Sequence, residues 1–295
     1  MLLKKLIKNI SPKAQNIKIK GLEIDSKKIK KGFIFFAIKG QNFNGERYIK
    51  EAIKKGAAVI VCSRNCKFSY NKIPIIKTSD IRFFLSEISS MFYKLKPKNI
   101  IAVTGTNGKT SVADLYYQIL KLNNLPVASI GTLGIKYNGK IIKSNLTSPD
   151  TITIHKTLSK IKKCKIDNVI LEASSHGLHQ KRINHLNINT GIFTNFSQDH
   201  LDYHKNMKSY LNSKLLLFKN ILSKKKFAIS DSSIKEFKIL KKISRQRNLR
   251  LIEISSIKNK LDKFLNYKLN TFQSKNLSMA ITAAKLSKLS EKKNF

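Results

Sequence analysis

The spacing of hydrophobic and polar positions divides the chain into two textures. Over residues 1–97 the apolar positions come in short alternating runs, and IKGLEIDSKKIKKGFIFFAIKG reads as strand, turn, strand, with Gly32 and Gly40 at the turns. YIKEAIKKG reads as a helix closing at Gly56, followed by a buried strand over 57–62. Residues 80–95 read as a helix that ends before Pro97. Lys96, Pro97 and Lys98 then form a linker. From Asn99 onward the pattern alternates between strand and helix, which predicts a mostly parallel sheet with helical crossovers. Strands are expected over 100–103, 127–130, 168–172 and 189–194, and helices over 112–122, 151–163 and 207–222. Residues 223–270 are lysine-rich and weakly patterned, with two helices and one strand near 249–254 expected, before an apolar helix over 276–289. The expected fold class is α/β: a small amino-terminal α/β domain, residues 1–97, followed by a P-loop-type, mostly parallel sheet domain, residues 98–295.

Composition agrees with that division. At roughly 150 residues per domain, 295 residues make two domains, and a hydrophobic fraction of 41% excludes global disorder. Charge changes the picture more: 58 Lys+Arg against 17 Asp+Glu give a formal net charge of +41. A basic face releases counterions from phosphate, so a nucleic-acid partner is the first reading. The excess is nevertheless lysine spread evenly along the chain, and only seven of the basic residues are arginine, the side chain whose planar fork reads bases and phosphates. No nucleic-acid partner is therefore expected. No apolar run reaches the ~18 residues of a bilayer span, and MLLKKLIKNISPKAQ lacks the h-region and cleavage site of a secretory signal, so no membrane partner is expected. Three cysteines, Cys62, Cys66 and Cys164, give no disulfide framework, and a cytoplasmic location follows. Against so much lysine, each carboxylate is worth locating.

The candidate chemistry begins at IIAVTGTNGKTS, residues 100–111. A buried strand runs through Gly105, Thr106, Asn107, Gly108, Lys109, Thr110 and Ser111 into a helix. Glycines let backbone N–H groups curl around phosphate oxygens, and the helix N-terminus adds partial positive charge. Lys109 would meet the β- and γ-phosphates, and the Thr110 hydroxyl would bind Mg²⁺. The loop departs from a strict Walker A sequence, with Val103 where the first glycine would stand. In DNVILEASSHG, a strand delivers Glu172 to the carboxyl edge of the sheet, where ligands bind and where an unpartnered acid would be a desolvation liability. TNFSQDHLDYH gathers Asn195, Asp199, His200, Asp202 and His204 after a third strand. The spacing of His200 and His204 is that of a helical zinc pair without its glutamate, and helix capping by Ser197 or Asp199 explains much of the segment. Lys214, within YLNSKLLLF, reads from composition as one more snorkelling surface lysine.

Taken in order and at their spacings, TGTNGKTS, LTSPD, LEASSHGLHQKRI, TNFSQDHLDYH and YLNSKLLLF resemble the Mur ligases, nearest to those that add the third residue to the peptidoglycan stem peptide. The segment IDSKKIKKGFIFFAIKGQNFNGERYIKEAIKKGAAVIV resembles their uridine-binding domain. The resemblance implies an ATP-dependent ligase that joins meso-diaminopimelate or L-lysine to UDP-MurNAc-L-Ala-D-Glu through an acyl phosphate, in cell-wall biosynthesis. It implies catalytic roles for Lys109, His200 and Lys214, and cofactor contacts by the loop residues 105–111 and Asn195. Thr110 and Glu172 would hold one Mg²⁺, and His200 a second, with Lys214 carbamylated by CO₂ to become an anionic ligand. For the UDP-sugar peptide it implies Ser26, Gln41, Asn42 and Phe43 near the uridine, and Asn145, Leu146 and Thr147 in a substrate-contacting turn. Ser174, Gln180 and Arg182 would hold pyrophosphate, sugar or the peptide carboxylate. Asn44 and Lys27 stand where the family usually carries Asp and Arg. The family's carboxy-terminal domain, which selects the incoming amino acid, is expected to be absent from these residues. The chain would then be one half of a split ligase completed by a separately encoded carboxy-terminal domain, or a non-catalytic remnant that binds nucleotide and muramyl peptide.

Overall fold

The computed structural model describes residues 1–40, 43–143, 146–264 and 269–292; Gln41, Asn42 and Asn145 lie outside the described residues. The chain divides into two compact units, Met1–Lys94 with Thr151–Lys156, and Leu95–Asp150 with Thr157–Phe295.

The first unit is built on a four-stranded, all-parallel sheet, β1 (Gly21–Glu23), β2 (Phe33–Phe36), β3 (Ala57–Ser63) and β4 (Ile75–Thr78), in spatial order 1-2-3-4. Successive side chains of a strand face opposite ways, and here both faces are apolar. Ile34, Phe36, Val59 and Val61 join one core with Leu3, Leu22, Leu85 and Ile88; Phe35, Ala57, Ile60 and Cys62 join another with Ile49 and Ala52. Of the helices, α1 (Pro12–Gln15) and α2 (Ile49–Lys54) are short, whereas α3 (Ile81–Phe92) has three turns and an Asp80 cap whose Oδ1 accepts from Phe83 N at 2.9 Å.

The second unit carries an eight-stranded sheet. In chain order its strands are β5 (Asn99–Thr104), β6 (Val127–Gly131), β7 (Gly134–Tyr137), β8 (Lys140–Ile142), β9 (Asn168–Glu172), β10 (Thr190–Phe193), β11 (Phe227–Ser230) and β12 (Arg250–Glu253). Their spatial order is 12-11-10-5-9-6-7-8, parallel from β12 to β6 and antiparallel across β6–β7 and β7–β8. The helices are α4 (Lys109–Leu122), α5 (Thr151–Lys163, of which Thr157–Lys163 belong to this unit), α6 (Ser175–His179), α7 (Leu201–His204), α8 (Met207–Leu216), α9 (Phe237–Gln246), α10 (Ser255–Phe264) and α11 (Thr271–Lys292). The core packs Val112, Ala113, Tyr116 and Leu120 of α4 with Met279, Ala280, Ala283 and Ala284 of α11 over Ile101, Val103, Ile170 and Ile192 of the sheet. Alanines on α11 keep the side chains at this contact small.

Three features differ from the sequence expectation. β7 and β8 form a hairpin whose turn residues Asn138 and Gly139 both have positive φ, 48° and 72°, the signature of an Asn-Gly two-residue loop. β11 lies in the lysine-rich stretch where one strand was expected, so that stretch holds two. The helix expected over 207–222 ends at Leu216 and continues as a π-turn, Leu217–Ile221. Among the described residues no helix is long and apolar enough to cross a membrane.

Candidate nucleotide-binding site

β5, β9 and β10 are neighbours in the sheet, so their carboxyl ends meet, and the site is built there. The loop leaving β5 depends on two glycines. Gly105 has φ +146°, and a Cβ on it would lie 1.9 Å from Thr194 Oγ1; Gly108 has φ +83° and is pressed against Asn276, 2.6 Å from where its own Cβ would be. Gly108 is the N-cap of α4, so the helix begins at Lys109 rather than at residue 112. The end of β10 clamps the loop from the other side. Asn195 Oδ1 accepts from Asn107 N at 2.9 Å, Asn195 Nδ2 donates to Asn107 O at 3.2 Å, and Thr194 Oγ1 donates to the same carbonyl at 2.6 Å.

Glu172 ends β9 and is only 2% exposed. Thr110 Oγ1 donates to its Oε2 at 2.9 Å, Thr132 N to its Oε1 at 2.8 Å, and Thr132 Oγ1 to Oε2 at 3.2 Å. All three donors are neutral. The nearby lysines are bound by backbone carbonyls instead. Lys109 Nζ donates to Gly105 O at 2.9 Å and Thr106 O at 2.7 Å, and Lys214 Nζ donates to Gly105 O at 2.7 Å. Burial holds the Lys109 ammonium below its ordinary pKa, against the opposing pull of Glu172 and Asp199.

Lys214 is a correction to the surface reading of its sequence. It is 1% exposed, with its ammonium 4.3 Å above the Tyr210 ring. Burial, and then the like charge of Lys109, push its pKa down to about 7, with Asp199 pulling the other way. In the segment before it, neither Ser197 nor Asp199 caps the helix that follows. His200 is itself the N-cap of α7, in a left-handed conformation with φ 52°, and its Nε2 lies 3.4 Å from Asp199 Oδ2. His204 turns Nδ1 to Ser213 Oγ at 3.2 Å, and burial together with the surrounding histidines lowers its pKa to about 4, so it is neutral at ordinary pH. Among the described residues no cluster of three or more His, Cys, Asp or Glu side chains has the arrangement of a metal site.

The remaining expected site residues fall into two groups. In the second unit, Thr147 Oγ1 lies 3.3 Å from Thr132 Oγ1, Leu146 is 46% exposed, and Ser174 Oγ accepts from Gly177 N and from Ser148 Oγ, both at 3.0 Å. Arg182 donates from Nη1 to Ser148 O at 2.6 Å and from Nη2 to Gln180 Oε1 at 2.7 Å, while Gln180 Nε2 donates to Tyr203 OH at 3.1 Å. Ser111 follows Thr110 on the first turn of α4 and is exposed. In the first unit, Ser26 Oγ donates to Glu51 Oε2 at 2.9 Å, and Phe43 is 71% exposed. The sequence reading missed Thr132, Thr194, Tyr210 and Asn276. Two signals were present: Thr132 directly follows a strand-ending glycine, and Tyr210 lies one helical turn before Lys214.

The model of the Mur ligase middle domain matches residues 103–290, and that of the Mur ligase family catalytic domain matches residues 18–93. The chain belongs to the Mur ligase family. It is 39% identical over 252 residues to the UDP-N-acetylmuramoyl-L-alanyl-D-glutamate–2,6-diaminopimelate ligase of Rickettsia conorii, covering 84% of this chain and 52% of that protein. The enzyme of the same name from Aquifex aeolicus is 40% identical over 219 residues, 73% of this chain and 45% of the relative. The chain thus spans about half the length of the curated relatives it matches. A solved structure of a ligase of that name superposes with a TM-score of 0.80 at 22% identity, over 98% of this chain and 64% of that one. The MurF ligase from Thermotoga maritima in complex with ADP gives 0.59 at 17% identity, over 92% and 64%. At these identities the structural likeness is one of fold, and it agrees with the α/β architecture expected from the sequence.

Proposed function

We propose that this chain carries the nucleotide- and muramyl-peptide-binding parts of an ATP-dependent ligase that joins a diamino acid, diaminopimelate or lysine, to UDP-MurNAc-L-Ala-D-Glu. The observation that carries the reading is the loop from Gly105 to Thr110 with Thr110 bonded to the buried carboxylate of Glu172. The relatives' names as diaminopimelate-adding ligases support the substrate class, and the ADP complex of a structural relative supports the nucleotide.

In this reading the loop N–H groups and the N-terminus of α4 cradle the phosphates. Lys109 turns from the carbonyls of Gly105 and Thr106 to the γ-phosphate and offsets its charge as the peptide carboxylate approaches. Hard oxygens suit magnesium, and the Thr110 hydroxyl beside the Glu172 carboxylate supplies two of them. His200 and Lys214 would hold a second ion. As an ammonium, Lys214 is a donor and no ligand, but a pKa of about 7 leaves a large neutral fraction. Nζ of that fraction can form an N–C bond to CO₂, lose a proton to water and leave an anionic carbamate. When bound, Mg²⁺ would supply charge neutralisation at the phosphates. Ser174, Gln180 and Arg182 would orient the UDP-sugar peptide, with Ser26 and the segment ending at Phe43 at the uridine. A carboxy-terminal ligase domain, in the same or another polypeptide, is the partner required for amine selection. Three free cysteines and a nucleotide-sugar substrate suit the cytoplasm.

The test is calorimetric titration of the 295-residue chain with Mg·ATP, and with UDP-MurNAc-L-Ala-D-Glu, beside a Lys109→Ala variant. Binding of both ligands, with the ATP signal lost in K109A, is expected. No nucleotide binding, or equal binding by the variant, would overturn the reading.

A further inference from the structure

The side chain of Glu172 lies flat on Gly131, the last residue of the neighbouring strand β6. A Cβ on Gly131 would be 2.1 Å from Glu172 Oε1, 2.6 Å from Cδ and 2.7 Å from Cγ, so only glycine leaves room for the carboxylate in this position. The next residue then closes over it. Thr132 gives its backbone N–H to Oε1 at 2.8 Å and its hydroxyl to Oε2 at 3.2 Å, and that hydroxyl is braced by Thr147 Oγ1 at 3.3 Å. One residue therefore touches both carboxylate oxygens, and the missing side chain of the other sets where they lie. Three neutral hydrogen bonds orient the group without cancelling its charge, which is what a cation site requires of its supporting residues.

We infer that the Gly131–Thr132 turn is a preformed cradle whose work is to position Glu172 for a divalent cation, with Thr132 a positioning residue rather than a ligand. The inference rests on the ligase reading above, and the cation would be the one that accompanies the nucleotide. Backbone N–H and hydroxyl contribute separately, so Thr132→Val removes the hydroxyl alone, Thr132→Ser keeps it, and Gly131→Ala displaces the whole carboxylate.

The experiment measures ADP affinity by calorimetry in EDTA and again in millimolar Mg²⁺, for the unchanged chain and these three variants. The expected result is an EDTA affinity that stays within about twofold in all of them, while the gain on adding Mg²⁺ falls about tenfold in T132V and further in G131A, and survives in T132S. A Mg²⁺ gain unchanged in T132V overturns the cradle, as does a loss of EDTA affinity in step with it, which would mark a merely structural role. If Gly131→Ala does not fold, T132V against T132S carries the decision. Failure of the unchanged chain to bind ADP at all overturns the ligase reading and the cradle with it. ADP binding without any Mg²⁺ gain overturns the cradle alone.

Discussion

In one sheet, β9 ends on Glu172 and β11 runs into Asp231, and both carboxylates are nearly inaccessible, 2% and 5% exposed. Asp231 is fully partnered. Lys275, from α11, lies 2.6 Å from its Oδ2, while Ser233 donates from N at 2.9 Å and from Oγ at 2.7 Å. Burial pushes the Asp231 carboxyl up, but Lys275 and Ser233 outweigh it and hold the pKa below the usual carboxylate range. Glu172 has as many hydrogen bonds and no cation among its donors, since Lys109 and Lys214 are turned to carbonyls. Asp231 ties the end of β11 to α11. Glu172 is met by neutral donors alone, and a buried carboxylate held that way offers a place for a cation.

Three measurements bear on that contrast. The largest effect is expected from Asp231→Asn, which takes the carboxylate from Lys275 and leaves it bonded to Ser233 Oγ. With Lys275 27% exposed, the loss of unfolding free energy should fall somewhat short of a fully buried pair, about 2–3 kcal/mol by urea denaturation. Glu172→Gln in the same assay should change stability by less than about 1 kcal/mol, because the donors that hold Glu172 are neutral and no ion pair is broken among the hydrogen bonds it accepts. Equal losses in the two variants would erase the distinction.

The second measurement concerns the cations. A folded pKa of about 7 for Lys214, below its ordinary 10.5, means the unfolded chain binds more protons throughout that window. Stability should therefore rise with pH from about 7 towards 10.5, by at most about 1.4 kcal/mol per pH unit from this group. Lys214→Met should flatten the rise. An unchanged slope would show that the ammonium is not desolvated as the fold implies.

The smallest effects come from the supports of each acid. Asp231 has its folded pKa lowered from 3.8, so its pair stabilises above that value and the contribution is lost as pH falls through the folded pKa. Ser233→Ala should reduce stability by about 1 kcal/mol and shrink this acid-limb loss, read by thermal unfolding between neutral and acid pH. Thr132→Ser should leave stability within about 0.5 kcal/mol, since both of its bonds to Glu172 remain.

Legibility followed the range of the interactions. The strand, loop and helix through Gly105 and Thr110 were readable because glycines, a buried apolar run and a helical period act over a dozen neighbouring residues. β9 and Glu172 were readable for the same reason, and the resemblance then assigned them a role. The Asn138–Gly139 hairpin is equally local, an Asn-Gly pair between two short strands. β11 is hard to read because its strand is only four residues long and follows a run of lysines. Lys214 could not be distinguished from other lysines by spacing, because its burial is created by a loop 109 residues away.

The order of residues alone specifies an α/β chain with a phosphate-type loop, a strand-ending acid and a lysine excess spread along its length. Those features rest on local periodicity and on residue types with special backbone freedom. Which charges meet depends on the folded arrangement. Strand order sets β9 between β5 and β6, which puts Thr110 and Thr132, from opposite sides, on the same carboxylate, while α11 carries Lys275 to Asp231 and away from Glu172. Electrostatic pairing depends on ångström distances between groups far apart in the chain, and spacing along the chain does not encode those distances.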